Sequence, residues 1–160
     1  MTNQRVGLGF DSHRLVPGPA LLLGGIRIDH DLGLSGHSDG DVLTHALIDA
    51  LLGATGLGDI GQHYPDTDDR FKDANSMDLL ADTYGKVGAL SLRLGNADAT
   101  IIAGAPRLGF YRDAIRESLS TVLHSEPERV NIKFKTPEAL GPLESAPFIA
   151  AQVIVSLQLI

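Results

Sequence analysis

Cysteine is missing from this chain of 160 residues. Disulfides are thereby excluded, and so is any metal centre built on thiolates, so a bound metal must be held by His, Asp or Glu. Tryptophan is also missing and aromatics make up only 5%, which leaves the core to Leu, Ile, Val and Ala. No stretch is long and apolar enough to span a bilayer. The first residues lack the charged-then-apolar pattern of a signal peptide, and no transit peptide is recognisable. A reducing, cytoplasmic setting is the expectation. The net charge of −7 argues against a broad nucleic-acid footprint, which needs clustered Lys and Arg.

Positive charge is scarce in one region above all. From Ile28 to Asp69 there is no Lys or Arg, while the same stretch holds nine acids and four of the six histidines. It reads either as a solvated acidic surface or as a place where a bound cation relieves the repulsion. The groups able to meet phosphate come later, at Arg107, Arg112, Lys133 and Lys135.

What is present fits one domain covering residues 1–160, long enough to bury a core. Arg5 to Phe10 alternates as a strand ending at Asp11. Leu21–Leu23 and Ile26–Ile28 flank Gly24-Gly25 as a hairpin with a two-residue turn. Ser38 or Asp39 is expected to cap a helix from about Gly40 to Gly53. Gly56 to Asp69 reads as a loop. A second helix starts near Asn75 with Met77, Leu80, Tyr84 and Val87 on one face, and a third follows Pro106 with Tyr111, Ile115, Leu119 and Val122. Ala97–Ala103, Val130–Thr136 and Phe148–Ile160 read as strands. The expected class is α/β (α+β), one mixed sheet backed by helices on one face.

The first helix carries the chemistry. Leu43, Leu47, Ala50, Leu51 and Ala54 form one apolar stripe, and Asp41, His45 and Asp49 line up opposite at four-residue intervals. Ile48 and Leu52 flank that polar strip, so the helix is expected to be buried on both sides, one of them against another subunit. Asp11-Ser12-His13 spaces a carboxylate and an imidazole two residues apart. With His45 they supply the two histidines and one carboxylate of a three-ligand divalent-metal site with an open position, the usual form of a catalytic zinc. Asp41 or Asp49 is then expected to fix the His45 tautomer.

Gly9-Phe10-Asp11-Ser12-His13-Arg14, Gly36-His37-Ser38-Asp39-Gly40-Asp41-Val42, His45-Ala46, Asp49 to Ala54, Gly58-Asp59-Ile60-Gly61 and Pro65-Asp66-Thr67-Asp68 together resemble the 2-C-methyl-D-erythritol 2,4-cyclodiphosphate synthase family. The likeness continues through Ala99 to Ala103 and Ala105-Pro106-Arg107. It implies a homotrimer with sheets facing the threefold axis and active sites between subunits. It implies a cytidine diphosphate substrate, 4-diphosphocytidyl-2-C-methyl-D-erythritol 2-phosphate, closed to a cyclic diphosphate with release of CMP, formally by a phosphorus–oxygen lyase. Because the substrate supplies its own nucleophile, the protein has to align two anionic groups and neutralise charge.

The resemblance also assigns residues. Asp11, His13 and His45 would hold Zn2+, and Glu138 would contact a Mg2+ or Mn2+ ion bridging the diphosphate. His37 and Thr136 match the positions that stabilise the transition state. Asp11, Ser12, His13, His37 and Ser38 would contact substrate, as would Asp59, Ile60, Gly61, Tyr64, Pro65, Asp66, Thr67 and Asp68 around the methylerythritol phosphate. Ala103, Ala105, Pro106, Arg107 and Leu108 would form the cytidine pocket across the subunit boundary. Lys135, Thr136 and Glu138 would complete the diphosphate site.

The chain departs from the family near its end. A Thr-rich run is replaced by Phe134-Lys135-Thr136-Pro137-Glu138, and a Gly-Arg-Gly-Glu-Gly-like segment by Pro142-Leu143-Glu144-Ser145-Ala146-Pro147-Phe148. Ser145 stands where the family carries Arg, so prenyl diphosphate binding in the trimer core is not expected. Two other readings use the same residues: a metal-dependent phosphoester hydrolase, and a trimeric nucleotide-binding protein without turnover.

Overall fold

The alternation that begins at Arg5 does not stop at Asp11. Strand β1 runs Arg5–Pro17, because its second half finds partners on both edges. It pairs antiparallel with the last strand, β7 (Phe148–Leu159), from Arg5↔Leu157 to Arg14↔Phe148. Beyond that it pairs with a short strand the sequence pattern did not reveal, through Leu15↔Leu34. The computed structural model describes residues 4–138 and 147–160; the departing segment from Pro142 to Ala146, Ser145 included, lies outside the described residues.

Between these strands come the hairpin β2 (Leu21–Leu23) and β3 (Ile26–Ile28), then β4 (Leu32–Leu34). Gly24 and Gly25 both take positive φ, 58° and 75°, the backbone that a tight two-residue hairpin turn requires. Helix α1 spans Val42–Thr55, α2 Ile60–His63 and α3 Ser76–Ala89; β5 is Leu92–Ala103, α4 is Arg112–Val122 and β6 is Val130–Lys135. The main sheet has the order β4-β1-β7-β5-β6. It is mixed: β5 and β6 run parallel, joined by the α4 crossover, and the other pairs are antiparallel. Helix α1 packs on β1 and β7, α3 reaches β5 and α4 packs on β6. Among the described residues no helix is long and apolar enough to cross a membrane.

Helix α1 lies directly on β1 and β7 because two strand positions have no side chain. A Cβ on Gly7 would collide with the Ala50 carbonyl oxygen, and one on Gly9 with that of Ala46. The strand and helix backbones therefore touch, and no alanine fits. The other side of α1 is covered by α3. Only Asp49 and Gly53 escape burial along its length. The double burial read from the sequence is thus met within the chain, and the expected partner subunit is not what covers this helix.

The start of α1 also differs from the reading. Asp41, not Ser38 or Asp39, is the cap and accepts the Thr44 N–H at 3.0 Å. Gly40, at φ 72°, turns the chain so that the acid after it faces the helix end. Asp41 is fully buried, and it also accepts the turn N–H groups of Gly24 at 3.0 Å and Gly25 at 2.7 Å. One carboxylate thereby clamps the hairpin to the helix. In the region read as loop, the single turn α2 forms because Asp59 caps it through the Gln62 N–H at 2.9 Å; four residues are too few to leave a periodic pattern.

Replacing Asp41 by Ala leaves three backbone donors without their acceptor, those of Gly24 and Thr44 being buried. We expect a loss of about 3 kcal/mol in urea unfolding at fixed protein concentration, with Asp41→Asn losing less. A loss below about 1 kcal/mol for the alanine variant would contradict this account.

Candidate active site

Alternation along β1 decides which of its residues reach α1. Gly7, Gly9, Asp11 and His13 share the helix-facing side, and Val6, Leu8, Phe10 and Ser12 share the other. Beyond the two glycines, Asp11 and His13 therefore meet the first turns of α1, where His45 projects. His13 Nε2 lies 2.8 Å from Asp11 Oδ2, His45 Nδ1 lies 3.0 Å from the same oxygen, and the two ring nitrogens are 3.1 Å apart. Among the described residues these three are the one group of His and acids arranged so that it could hold a metal ion. A carboxylate and two imidazole nitrogens converge on one point, so protons must lie among them when no metal is bound, and a cation can take the protons' place. Burial opposes ionisation of Asp11, but hydrogen bonds from His13 and His45 and their charge hold its carboxyl well below the usual carboxylate range. The donor set fits a divalent metal with one position open.

The cluster forms one wall of a cavity of about 350 Å³. His37, Ser38, Ile60, Gly61, Tyr64 and Asp66, all anticipated from the sequence, line it as well. Asp49, Phe71 and Leu79 line it too and were not anticipated as site residues. Asp49 does not touch His45; it accepts the Ile60 N–H at 2.7 Å and so fixes the start of α2. Burial pushes the Asp49 carboxyl up, against that hydrogen bond, and the neighbouring charges of Asp59 and Asp11 add to the rise. Asp41 is equally occupied elsewhere, so neither acid fixes the His45 ring. Its Nε2 instead lies 2.9 Å from both Ser38 Oγ and Ser76 Oγ. No Lys or Arg among the described residues lines this cavity, while Asp11, Asp49 and Asp66 do.

The loop over the cavity is tied down through side chains. His37 Nε2 sits 3.3 Å from the Asp68 carbonyl oxygen. The Tyr64 hydroxyl donates to Asp82 at 2.6 Å and receives Lys86 at 3.2 Å, anchoring the loop to α3. Ser12, Asp59, Pro65, Thr67 and Asp68 lie outside the cavity lining. Ser12 sits on the opposite sheet face, Asp59 caps α2, and Asp68 pairs with Arg70 at 2.6 Å.

The other anticipated residues gather at the ends of β5 and β6. Ala103, Pro106, Arg107, Leu108, Lys135 and Thr136 line a cavity of about 270 Å³ together with Phe134, whose ring carries the Arg112 guanidinium 5.4 Å from its centroid. Ala105, Thr136 and Glu138 line a second, of about 600 Å³, with His30, Leu15 and Phe148. Glu138 has φ 28°, a backbone that non-glycine residues rarely adopt. A single chain thus carries an acidic, metal-type cavity and, apart from it, a cavity with two cationic side chains.

A model of the YgbB family matches residues 4–158. The 2-C-methyl-D-erythritol 2,4-cyclodiphosphate synthase of Moorella thermoacetica is 52% identical over 153 residues, covering 96% of this chain and 94% of that protein. The bifunctional IspDF structure from Campylobacter jejuni superposes with a TM-score of 0.95 at 41% identity, covering all of this chain and 43% of the larger one. A structure of 2C-methyl-D-erythritol-2,4-cyclodiphosphate synthase in its CDP-bound form superposes with a TM-score of 0.88 at 40% identity, over 96% of this chain and all of that one. By the reach of the family match and the identity of its full-length relatives, the chain belongs to the YgbB family.

Proposed function

We propose that this protein is a phosphorus–oxygen lyase that converts 4-diphosphocytidyl-2-C-methyl-D-erythritol 2-phosphate to 2-C-methyl-D-erythritol 2,4-cyclodiphosphate and CMP, a step of non-mevalonate isoprenoid synthesis. The observation that carries the reading is the Asp11–His13–His45 cluster in a cavity lined by acids and, among the described residues, by no Lys or Arg. Phosphate enters such a cavity only with a cation present. The names of the relatives point to the same chemistry, and the CDP-bound form of one of them to the cytidine part of the substrate.

In this reading a 2-phosphate oxygen attacks the β-phosphorus, the bond to the α-phosphate oxygen breaks, and CMP departs with that oxygen. Zn2+ on Asp11, His13 and His45, with Mg2+ or Mn2+ near Glu138, would supply Lewis-acid charge neutralisation. His37 and Thr136 would stabilise the transition state by donating hydrogen bonds to the phosphoryl oxygens. Ser38, Ile60, Gly61, Tyr64 and Asp66 would hold the methylerythritol part. Asp59, Pro65, Thr67, Asp68 and Ser12 would act through the shape and closure of the surrounding loop and strand. Ala103 to Leu108 would enclose the cytosine, and Arg107 and Lys135 would meet the diphosphate. No nucleophilic side chain is needed, and alignment carries most of the rate.

A homotrimer belongs to the same proposal. On the sheet face away from the helices, Val6, Leu8, Phe10 and Ile154 are 68%, 57%, 56% and 47% exposed, an apolar strip that a second copy would cover. Subunits meeting there would bring the cationic cavity of one chain to the acidic cavity of the next. A cytoplasmic setting fits the cysteine-free chain.

Incubation with the substrate and Mg2+ should release CMP and give one cyclic diphosphate by phosphorus NMR; a free phosphomonoester as product would instead indicate a hydrolase. His13→Ala and His45→Ala should each lose the bound zinc in metal analysis and lose turnover with it, while remaining folded by circular dichroism. Full zinc occupancy in both variants would refute the ligand assignment. Leu8→Glu should shift the protein from a trimer to a monomer in light scattering and reduce turnover at least tenfold.

A further inference from the structure

The side of His45 facing away from Asp11 holds a hydrogen-bonded pair with no part in the reaction just described. Ser76 is the first residue of α3 and is fully buried. Its Oγ lies 2.9 Å from His45 Nε2 and donates to Asp39 Oδ1 in a short hydrogen bond. Asp39 is itself held in place: Oδ2 accepts the Ser76 backbone N–H at 2.9 Å, and Oδ1 accepts that of Asp41 at 3.2 Å.

Proton inventory orders this chain. Both Asp39 carboxyl oxygens already accept backbone N–H groups, so the Ser76 hydroxyl hydrogen points at Asp39. The Ser76 oxygen then offers His45 only lone pairs, and Nε2 has to carry a hydrogen. Nδ1 is then the nitrogen that shares a proton with Asp11, and the one whose lone pair is free for a cation once that proton leaves. Nδ1 is the atom 3.0 Å from Asp11 Oδ2 and 3.1 Å from His13 Nε2. Ser38 Oγ is also near Nε2, but it lines the cavity and its nearest other side-chain partner is Ser76 at 3.4 Å. Nothing fixes its hydrogen as Asp39 fixes that of Ser76.

We propose that Asp39 and Ser76 are positioning residues that hold His45 with its hydrogen on Nε2 and so present Nδ1 to a divalent cation. The proposal rests on reading Asp11, His13 and His45 as metal ligands. The hydroxyl has no structural duty that would explain it otherwise. Helix α3 is capped by Asn75, which accepts the Met77 N–H at 2.9 Å, and Asp39 grips Ser76 through its backbone as well. Hydrogen-bonded partners of this kind raise the basicity of a ligand histidine and fix its ring.

Ser76→Ala removes only the hydroxyl. Competition with a chromophoric chelator should show Zn2+ bound roughly 10- to 100-fold more weakly than by the unaltered protein, with unchanged thermal unfolding of the metal-free forms. Long-range proton–nitrogen NMR of the unaltered protein should find His45 Nε2 protonated and slowly exchanging with solvent, both without metal and loaded with Zn2+; Ser76→Ala should speed that exchange. Zinc affinity within twofold of the unaltered protein in Ser76→Ala would overturn the proposal. So would a bare Nε2 in the unaltered protein, whether or not any variant folds. Failure of the unaltered protein to bind Zn2+ at all would overturn the ligand assignment instead, and the NMR result would still decide where the hydrogen sits.

Discussion

The contact between β1 and α1 sets the position of everything else. Gly7 and Gly9 remove the side chains that would otherwise separate a strand from a helix, so the backbones touch and neither element can slide without a steric collision. That fixed contact dictates that the next two residues on the same strand face, Asp11 and His13, arrive under the first turns of α1. Metal ligands have to converge within a few tenths of an ångström. A helix resting on ordinary side chains could shift by more than that. The buried Asp41 adds a second restraint by tying the same end of α1 to the hairpin turn. A rigid glycine-lined seam and a rigid cap therefore stand on either side of His45.

The electrostatics follow from that placement. Two carboxyls share the acidic cavity and are driven in opposite directions. Asp11 is held ionised by the imidazoles beside it, despite its burial. Asp49, half-buried beside the charges of Asp59 and Asp11, is pushed the other way. One acid is thus poised to ligate a cation and the other to hydrogen-bond a hydroxyl-bearing ligand, although both sit within one cavity. No Lys or Arg among the described residues lines the cavity, so no such side chain pairs with the ligand atoms in place of a metal.

Legibility from sequence tracked how local each interaction is. Asp11-x-His13 was readable because a two-residue spacing on a strand guarantees a common face. His45 was readable because helical periodicity set it against the apolar stripe. The Gly24-Gly25 turn and the long β-branched last strand were readable for similar reasons. The hydrogen-bond partner of His45 was not: Ser76 is 31 residues further on and lies on another helix, while Asp41 and Asp49 stood at tempting four-residue intervals. The cap was misplaced because Ser38, Asp39 and Asp41 all have capping side chains, and only the left-handed turn at Gly40 decides among them. The end of β1 was misplaced because apolar alternation fades after Asp11, whereas ladder pairing with β4 and β7 persists.

The outer sheet face carries a further order that composition alone could not reveal. Ile154 stands in β7 opposite Leu8 on one side and Asp98 on the other. On the Leu8 side the surface is apolar, with Val6 and Phe10 along the same strand. On the Asp98 side it is charged and internally satisfied: Asp98 accepts Asn131 at 2.8 Å and Lys133 at 2.6 Å, and Lys133 holds its carboxyl below the usual range. A sheet divided in this way does not favour face-to-face stacking of two copies, because the ion-paired half would lose water for little return. Copies turned about an axis can cover the apolar strips, each on the order of 1 kcal/mol per half-exposed side chain, and leave the ion-paired strip wet. The division of the face thus fits the assembly proposed above better than flat stacking of two copies, from the same few residues.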